Sequence, residues 1–120
     1  MERIVHFEIP TDEPEKAQEF YKNTFGWNFQ KWGDEDYWMT TTGDKSTPGI
    51  DGAIMRKRDP NQPVVNTIGV ANLDESIAKI EKNGGQIVVP KMPVGDFAVM
   101  AYFKDTDGNI MGIYQETKKM

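Results

Sequence analysis

The sequence contains no cysteine, which excludes a disulfide framework, a thiolate metal site and a cysteine nucleophile. Histidine is nearly absent as well: His6 is the single one, so no Ser-His-Asp constellation can be supported. Long apolar runs are missing. The first residues, Met-Glu-Arg-Ile-Val-His-Phe-Glu, mix charge with apolar side chains. They predict neither a signal peptide nor a membrane span, and a cytoplasmic location is the default expectation. A concentrated positive face is lacking too. The 14 basic residues are scattered among 19 acidic ones, for a net charge of −5, which disfavours nucleic-acid binding. The stretch from Gly43 to Gly52 has glycines without a phosphate-loop pattern, so nucleotide binding has no support and the segment is expected to be a loop at a cavity rim.

What remains is an ordinary globular composition, with 38% apolar and 28% charged residues in 120. A chain of this size buries roughly two-thirds of the surface it would expose unfolded, enough for one domain with its own core. Arg3 to Ile9 alternates Ile4, His6 and Glu8 with Val5, Phe7 and Ile9, the period of a half-buried strand whose apolar side should meet a helix. Thr11 or Asp12 can cap a helix with Pro14 in its first turn. Ala17, Phe20, Tyr21, Thr24 and Phe25 follow at helical spacing, and Gly26 ends the run. Strands are then expected at 27–32, 37–42 and 52–57.

The order recurs. Asp59 to Pro63 reads as a linker, followed by a strand at 64–70 and a helix that starts near Asn72 or Asp74 and stops at Gly84-Gly85. Strands at 86–89, 98–103 and 109–114 complete the second set. The string Asp-Gly-x-Ile-Met marks the duplication, at Asp51 to Met55 and again at Asp107 to Met111. Ala17, Phe20 and Gly26 likewise find counterparts in Ile77, Ile80 and Gly85. Both Asp-Gly pairs are expected to be tight turns into a last strand. Calcium binding by Asp105 and Asp107 is the competing idea, but the further oxygen ligands of an EF-hand loop do not follow.

Two successive βαβββ modules, with Phe20-Tyr21 late in the first helix, Phe25-Gly26-Trp27 at its end and Asp105-x-Asp107-Gly108-Asn109 before the final strand, resemble the vicinal oxygen chelate superfamily. This superfamily includes glyoxalase I, bleomycin-resistance proteins and extradiol dioxygenases. The resemblance implies an α+β fold over residues 1–120, with modules at about 1–58 and 64–120 around a linker at 59–63. It also implies a mixed sheet curled into a cup with helices outside, and a homodimer. In metal-dependent members the ligands come from the first and last strands of each module. Here those positions are His6, Val65 or Asn66, Arg56 and Gly112, with Met55 and Met111 as neighbours. His6 alone matches a ligand type. A divalent metal held by nitrogen and oxygen needs about three protein ligands, so no cofactor is predicted, and a metal would require ligands elsewhere.

The candidate site residues follow. His6 and Glu8, two apart on one strand, share a face and are candidates for a general base and its orienting partner. The simpler alternative for His6 is a hydrogen-bonded residue in a polar pocket. Arg56 is expected to project inward beside Glu8, either as a salt bridge that holds the cavity or as a fork for an oxyanion. Tyr114 is expected to line the cavity, and Gly112 to enlarge it where a glutamate would project. Trp27, Trp32, Tyr37, Trp38, Phe97 and Tyr102 are expected mostly in the core, with a subset on the pocket wall.

These features support a small-molecule-binding protein that has lost the metal. The alternatives are an enzyme of the lactoylglutathione-lyase or isomerase type using His6 and Glu8, and an interaction module with a vestigial cavity.

Overall fold

Pro14 opens the first helix at the position where a missing backbone N–H costs nothing. Gly26 closes it in the left-handed conformation, with φ of 76° and its N–H donated to the Lys22 carbonyl. The computed structural model describes residues 2–118. It contains β1 (Arg3–Thr11), α1 (Pro14–Phe25), β2 (Asn28–Lys31), β3 (Tyr37–Thr41), β4 (Gly52–Arg56), β5 (Val65–Gly69), α2 (Leu73–Lys82), β6 (Gln86–Val94), β7 (Ala98–Lys104) and β8 (Ile110–Glu116). The α+β fold with tandem βαβββ modules is therefore present. Neither Thr11 nor Asp12 caps α1: the N-cap is Glu13, without a side-chain cap bond, and the Thr11 hydroxyl accepts from the Glu13 N–H instead. Asn72 does cap α2, its side-chain oxygen accepting from the Glu75 N–H. No helix among the described residues is long and apolar enough to cross a membrane.

The described residues fall into two compact units, 6–64 and 65–118 with 2–5. Within 6–64 the strand order is β2-β3-β4-β1, with β1 parallel and β3 antiparallel to β4. Phe7 meets Trp27 at 5.8 Å, and Trp27 stacks on Tyr21 of α1 at 4.7 Å. The odd residues of β1 therefore face the helix. Registry then assigns the rest of the sheet. Glu8 pairs with Ala53, Ala53 with Met39, and Met55 with Tyr37, which puts His6, Glu8, Tyr37, Met39, Ala53 and Met55 on the far face. Ile54, Arg56, Trp38 and Lys31 take the helix face.

In the other unit the order is β5-β8-β7-β6. Leu73 of α2 is fully buried against Ala101, Phe103 and Ile113, with Ile68, Val70, Ile77, Ile80 and Met111 packed around them. Burying an aliphatic side chain of this kind is worth about 1.5–3 kcal/mol. Gly112 and Tyr114, alternating with Met111 and Ile113, therefore lie away from α2. Gly112 pairs with Thr67, and Tyr114 with Gly69.

The two Asp-Gly-x-Ile-Met strings thus land differently. Gly108 adopts φ of 84° in a turn before β8, with Asp105 accepting from the Asp107 and Asn109 N–H groups. This is the expected tight turn. Gly52 has no such φ; it is already inside β4, and a Cβ there would lie 2.4 Å from the Phe7 carbonyl oxygen. Its reason is close approach of two backbones, not a turn, which corrects that expectation. The frame slips as well: Met55 points away from its module's helix, whereas Met111 points towards its own. A shift of one residue exchanges the faces of a strand.

Candidate functional site in residues 6–64

Glu8 is 4% exposed, and a carboxylate this deeply buried is costly without hydrogen bonds. Tyr37 supplies one, its phenol O–H donating to Glu8 Oε2 at 2.9 Å. The Tyr37 phenol oxygen also lies 3.0 Å from His6 Nε2. A phenol carries one proton, and here the carboxylate takes it, so the Tyr37 oxygen can only accept from His6. The neutral imidazole therefore holds its hydrogen on Nε2 and leaves a lone pair on Nδ1. Burial, the largest influence, lowers the pKa of His6 below the ordinary value of 6.5. The negative charges of Glu8 and then Asp51 oppose that shift without reversing it.

Asp51 is itself fixed from the loop after β3. Its Oδ1 accepts from the Thr42 N–H at 2.8 Å and from the Thr42 hydroxyl at 3.2 Å. The Thr42 hydroxyl also lies 2.6 Å from the Ile50 carbonyl, and these contacts tie the two ends of the 43–50 loop together. The result is a partly buried imidazole with one bound proton, one lone pair, and two carboxylates acting on it.

His6 and Glu8 are thus brought together as expected, but through Tyr37, which the sequence offered only as one aromatic among several. Buried tyrosines normally find a partner for the hydroxyl, and that was the available signal.

Arg56 does not join them. It lies on the helix face, where Nε donates to Asp36 Oδ2 at 2.8 Å and Nη1 to the Asp12 carbonyl at 3.2 Å. The expectation of an inward Arg56 beside Glu8 failed because β4 runs one residue out of the assumed frame. Both partners of the Arg56–Asp36 pair are about half exposed, so it contributes at most about 1 kcal/mol. It borders a separate cleft of about 550 Å³ between the start of α1 and the strands, lined by Lys31, Trp38 and five carboxylates among others.

In the other unit, Gly112 and Tyr114 share a face, and burial pushes the Tyr114 phenol pKa upward, with Glu116 adding to it. Gly112 does not vacate space: a Cβ there would lie 2.7 Å from Thr67 Oγ1. The Thr67 side chain fills that volume, and its buried hydroxyl has no hydrogen-bond partner. This corrects the expected enlargement of a pocket.

At the positions where the resemblance implies metal ligands, the side chains present do not make a donor set that fits a divalent ion. His6 commits Nε2 to Tyr37. The far-face residue of β4 is Met55, a buried thioether that accepts from Gln62 and is too soft for the hard and borderline ions. Val65, on the face of Thr67 and Gly112, is buried and apolar, and Gly112 has no side chain. The described residues contain no group of three or more His, Asp or Glu side chains arranged for a metal.

Comparison with known proteins agrees with this architecture. The bleomycin resistance protein-like N-terminal family matches residues 3–43, which cover β1, α1, β2 and β3. A glyoxylase-like domain-containing protein of Didymella fabae is 28% identical over 117 residues, 92% of this chain and 91% of that one. A Mycobacterium tuberculosis protein carrying the name glyoxylase CFP32 is 26% identical over 116 residues. The chain spans 44% of the length of that relative.

Among solved structures, a hypothetical protein of Bacillus halodurans superposes with a TM-score of 0.71 over 99% of this chain and 97% of that one, at 12% identity. A Streptomyces coelicolor methylmalonyl-CoA epimerase gives 0.69 over 96% and 94%, at 17% identity. A Vibrio splendidus member of the glyoxalase/bleomycin resistance protein/dioxygenase superfamily gives 0.68 over 96% and 99%, at 13% identity. At these identities the structures speak for the fold. The chain shares that fold with a member of the glyoxalase/bleomycin resistance protein/dioxygenase superfamily, and its sequence is similar to proteins that carry the name glyoxylase.

Proposed function

We propose that this protein binds a small molecule at a polar centre formed by His6, Tyr37 and Glu8, without the divalent metal of its metal-dependent relatives. The observation that carries the reading is the chain of hydrogen bonds from the buried Glu8 through Tyr37 to His6. Pockets in general are apolar, with a few convergent polar groups that fix ligand orientation, and Met39, Ala53 and Met55 are the apolar neighbours on the same face. A homodimer in the cytoplasm is the setting this reading expects.

Thermal-shift screening against small molecules tests it. A ligand stabilises the folded state by mass action, and that stabilisation should vanish in His6→Ala and Glu8→Ala but persist in Arg56→Ala. Protein purified without chelator should carry no stoichiometric metal. Zinc, nickel or iron at one per chain, lost on His6→Ala, would contradict the reading.

A second reading, a lyase or isomerase, draws support from the tautomer. With Nε2 protonated, Nδ1 can take a proton from bound substrate, the imidazolium so formed is stabilised by Glu8 and Asp51, and the proton returns to product. The epimerases share the fold only. Turnover of any thioester or α-hydroxycarbonyl substrate that survives His6→Gln would remove this version and leave the binding reading intact.

A further inference from the structure

We infer that the His6–Tyr37–Glu8 centre selects ligands that donate hydrogen bonds and carry positive charge, amidinium and ammonium groups in particular, and rejects carboxylates. The inference deepens the proposed function and rests on it. Three features of the centre lead to it.

Tyr37 is the first. Its proton belongs to Glu8 and its oxygen accepts from His6, so the phenol has nothing left to donate to a ligand. It also fixes His6 with a bare Nδ1. An imidazole in that tautomer presents an acceptor to whatever approaches from the Nδ1 side.

The second is the charge acting on the ring. The ionised groups that influence His6 are Glu8 and Asp51, both negative, and Asp51 is held in place by Thr42. With the imidazole kept neutral by burial, the field that these two groups set up at the ring is negative. Such a field attracts cations and raises the cost of bringing a carboxylate close.

The third is where Arg56 went. Had it stood beside Glu8, as the repeat frame implied, it would have supplied a fork for an oxyanion. It lies instead on the opposite face of the sheet, bonded to Asp36 and the Asp12 carbonyl.

Tyr37 is on this account a positioning residue that sets specificity: by taking the Nε2 hydrogen it decides that His6 accepts rather than donates. The recognition chemistry is that of a neutral imidazole and carboxylates around a cationic donor. Charge-assisted bonds of this type are stronger and shorter than neutral ones.

The test uses three probes of one size: benzamidine, benzamide and benzoate. Because the chain has one histidine, the imidazole NMR resonances need no assignment, and each probe is titrated against them. Benzamidine should shift the His6 resonances saturably, benzamide should bind roughly tenfold more weakly, and benzoate should not bind. Glu8→Gln, which keeps the side-chain shape, should abolish the preference for benzamidine over benzamide. Tyr37→Phe should reduce it and also let the Nδ1–H tautomer appear.

If benzoate shifts His6 as well as benzamidine does, the ligand class is wrong while the site stands. If none of the three moves His6, the site itself is misplaced and the inference falls with it. If benzamidine keeps its advantage in Glu8→Gln and Tyr37→Phe, both folded by circular dichroism, the acceptor mechanism is wrong.

Discussion

The two modules share one element order and a five-residue string, yet residues 6–64 use the pattern to hold polar groups and residues 65–118 use it to build an apolar core. In the second module Leu73 is fully buried under Ala101, Phe103 and Ile113, and α2 is capped at Asn72 and again by Gln115, whose side chain accepts from the Leu73 N–H. In the first module α1 buries only Pro14 completely, while Phe20 and Phe25 stay 58% and 62% exposed. On its far face that module buries Glu8 beside Ala53 and Met55. The topology is shared while the use of it differs: the second module packs its helix on an apolar core, and the first, besides the buried Ala53, Ile54 and Met55, holds a hydrogen-bonded carboxylate and imidazole.

Stability measurements break this comparison most readily. Leu73→Ala should cost about 2–5 kcal/mol in denaturant unfolding, as a core truncation that leaves a cavity. Phe20→Ala should cost below about 1 kcal/mol, because the ring is largely solvated. Equal costs would show that α1 is packed as tightly as α2.

The two glycines of the repeat give a smaller but sharper contrast. Gly52→Ala should cost about 1–3 kcal/mol, since the new methyl group meets the Phe7 backbone. Gly52→Asn should be no better. Gly108→Asn, by contrast, should be neutral to within about 0.5 kcal/mol, because asparagine tolerates the left-handed conformation and nothing lies within 4 Å of the added Cβ. Rescue of both sites by asparagine would mean that both are turns.

The caps come next. Asn72→Ala should lose about 1 kcal/mol and Glu13→Ala less than half of that. Urea midpoints with unchanged m-values would show it.

The pH dependence is the subtlest. His6 has a folded pKa below its unfolded value of 6.5, so the unfolded chain binds the proton more readily. Stability is then unaffected by this group above the unfolded value and falls as pH drops from there through the folded pKa. Comparison of the wild type with His6→Gln across that window should remove the slope. A wild type that gains stability from His6 on acidification would require a raised pKa.

Most of the fold was legible in the sequence because it depends on periodicity and punctuation. Pro14, Gly26 and Gly84-Gly85 delimit both helices to within a residue or two, and the alternation from Ile4 to Ile9 placed His6 and Glu8 on one face. The site was legible only in part. Strand frame is invisible to a repeat that keeps its letters while one copy places Gly108 in a turn and the other places Gly52 in the strand, so Arg56 was assigned to the wrong face. The role of Gly112 depended on Thr67, whose side chain occupies the space a glycine was expected to leave. Tyr37 reaches His6 and Glu8 across the intervening β4, a contact that no local pattern encodes.

The most direct test of the account is the protonation state of His6, read from long-range proton–nitrogen NMR correlations of its imidazole near pH 7. The account predicts a neutral ring with hydrogen on Nε2, a bare Nδ1, and titration below 6.5. A ring protonated on Nδ1 alone, or an imidazolium at that pH, would contradict it.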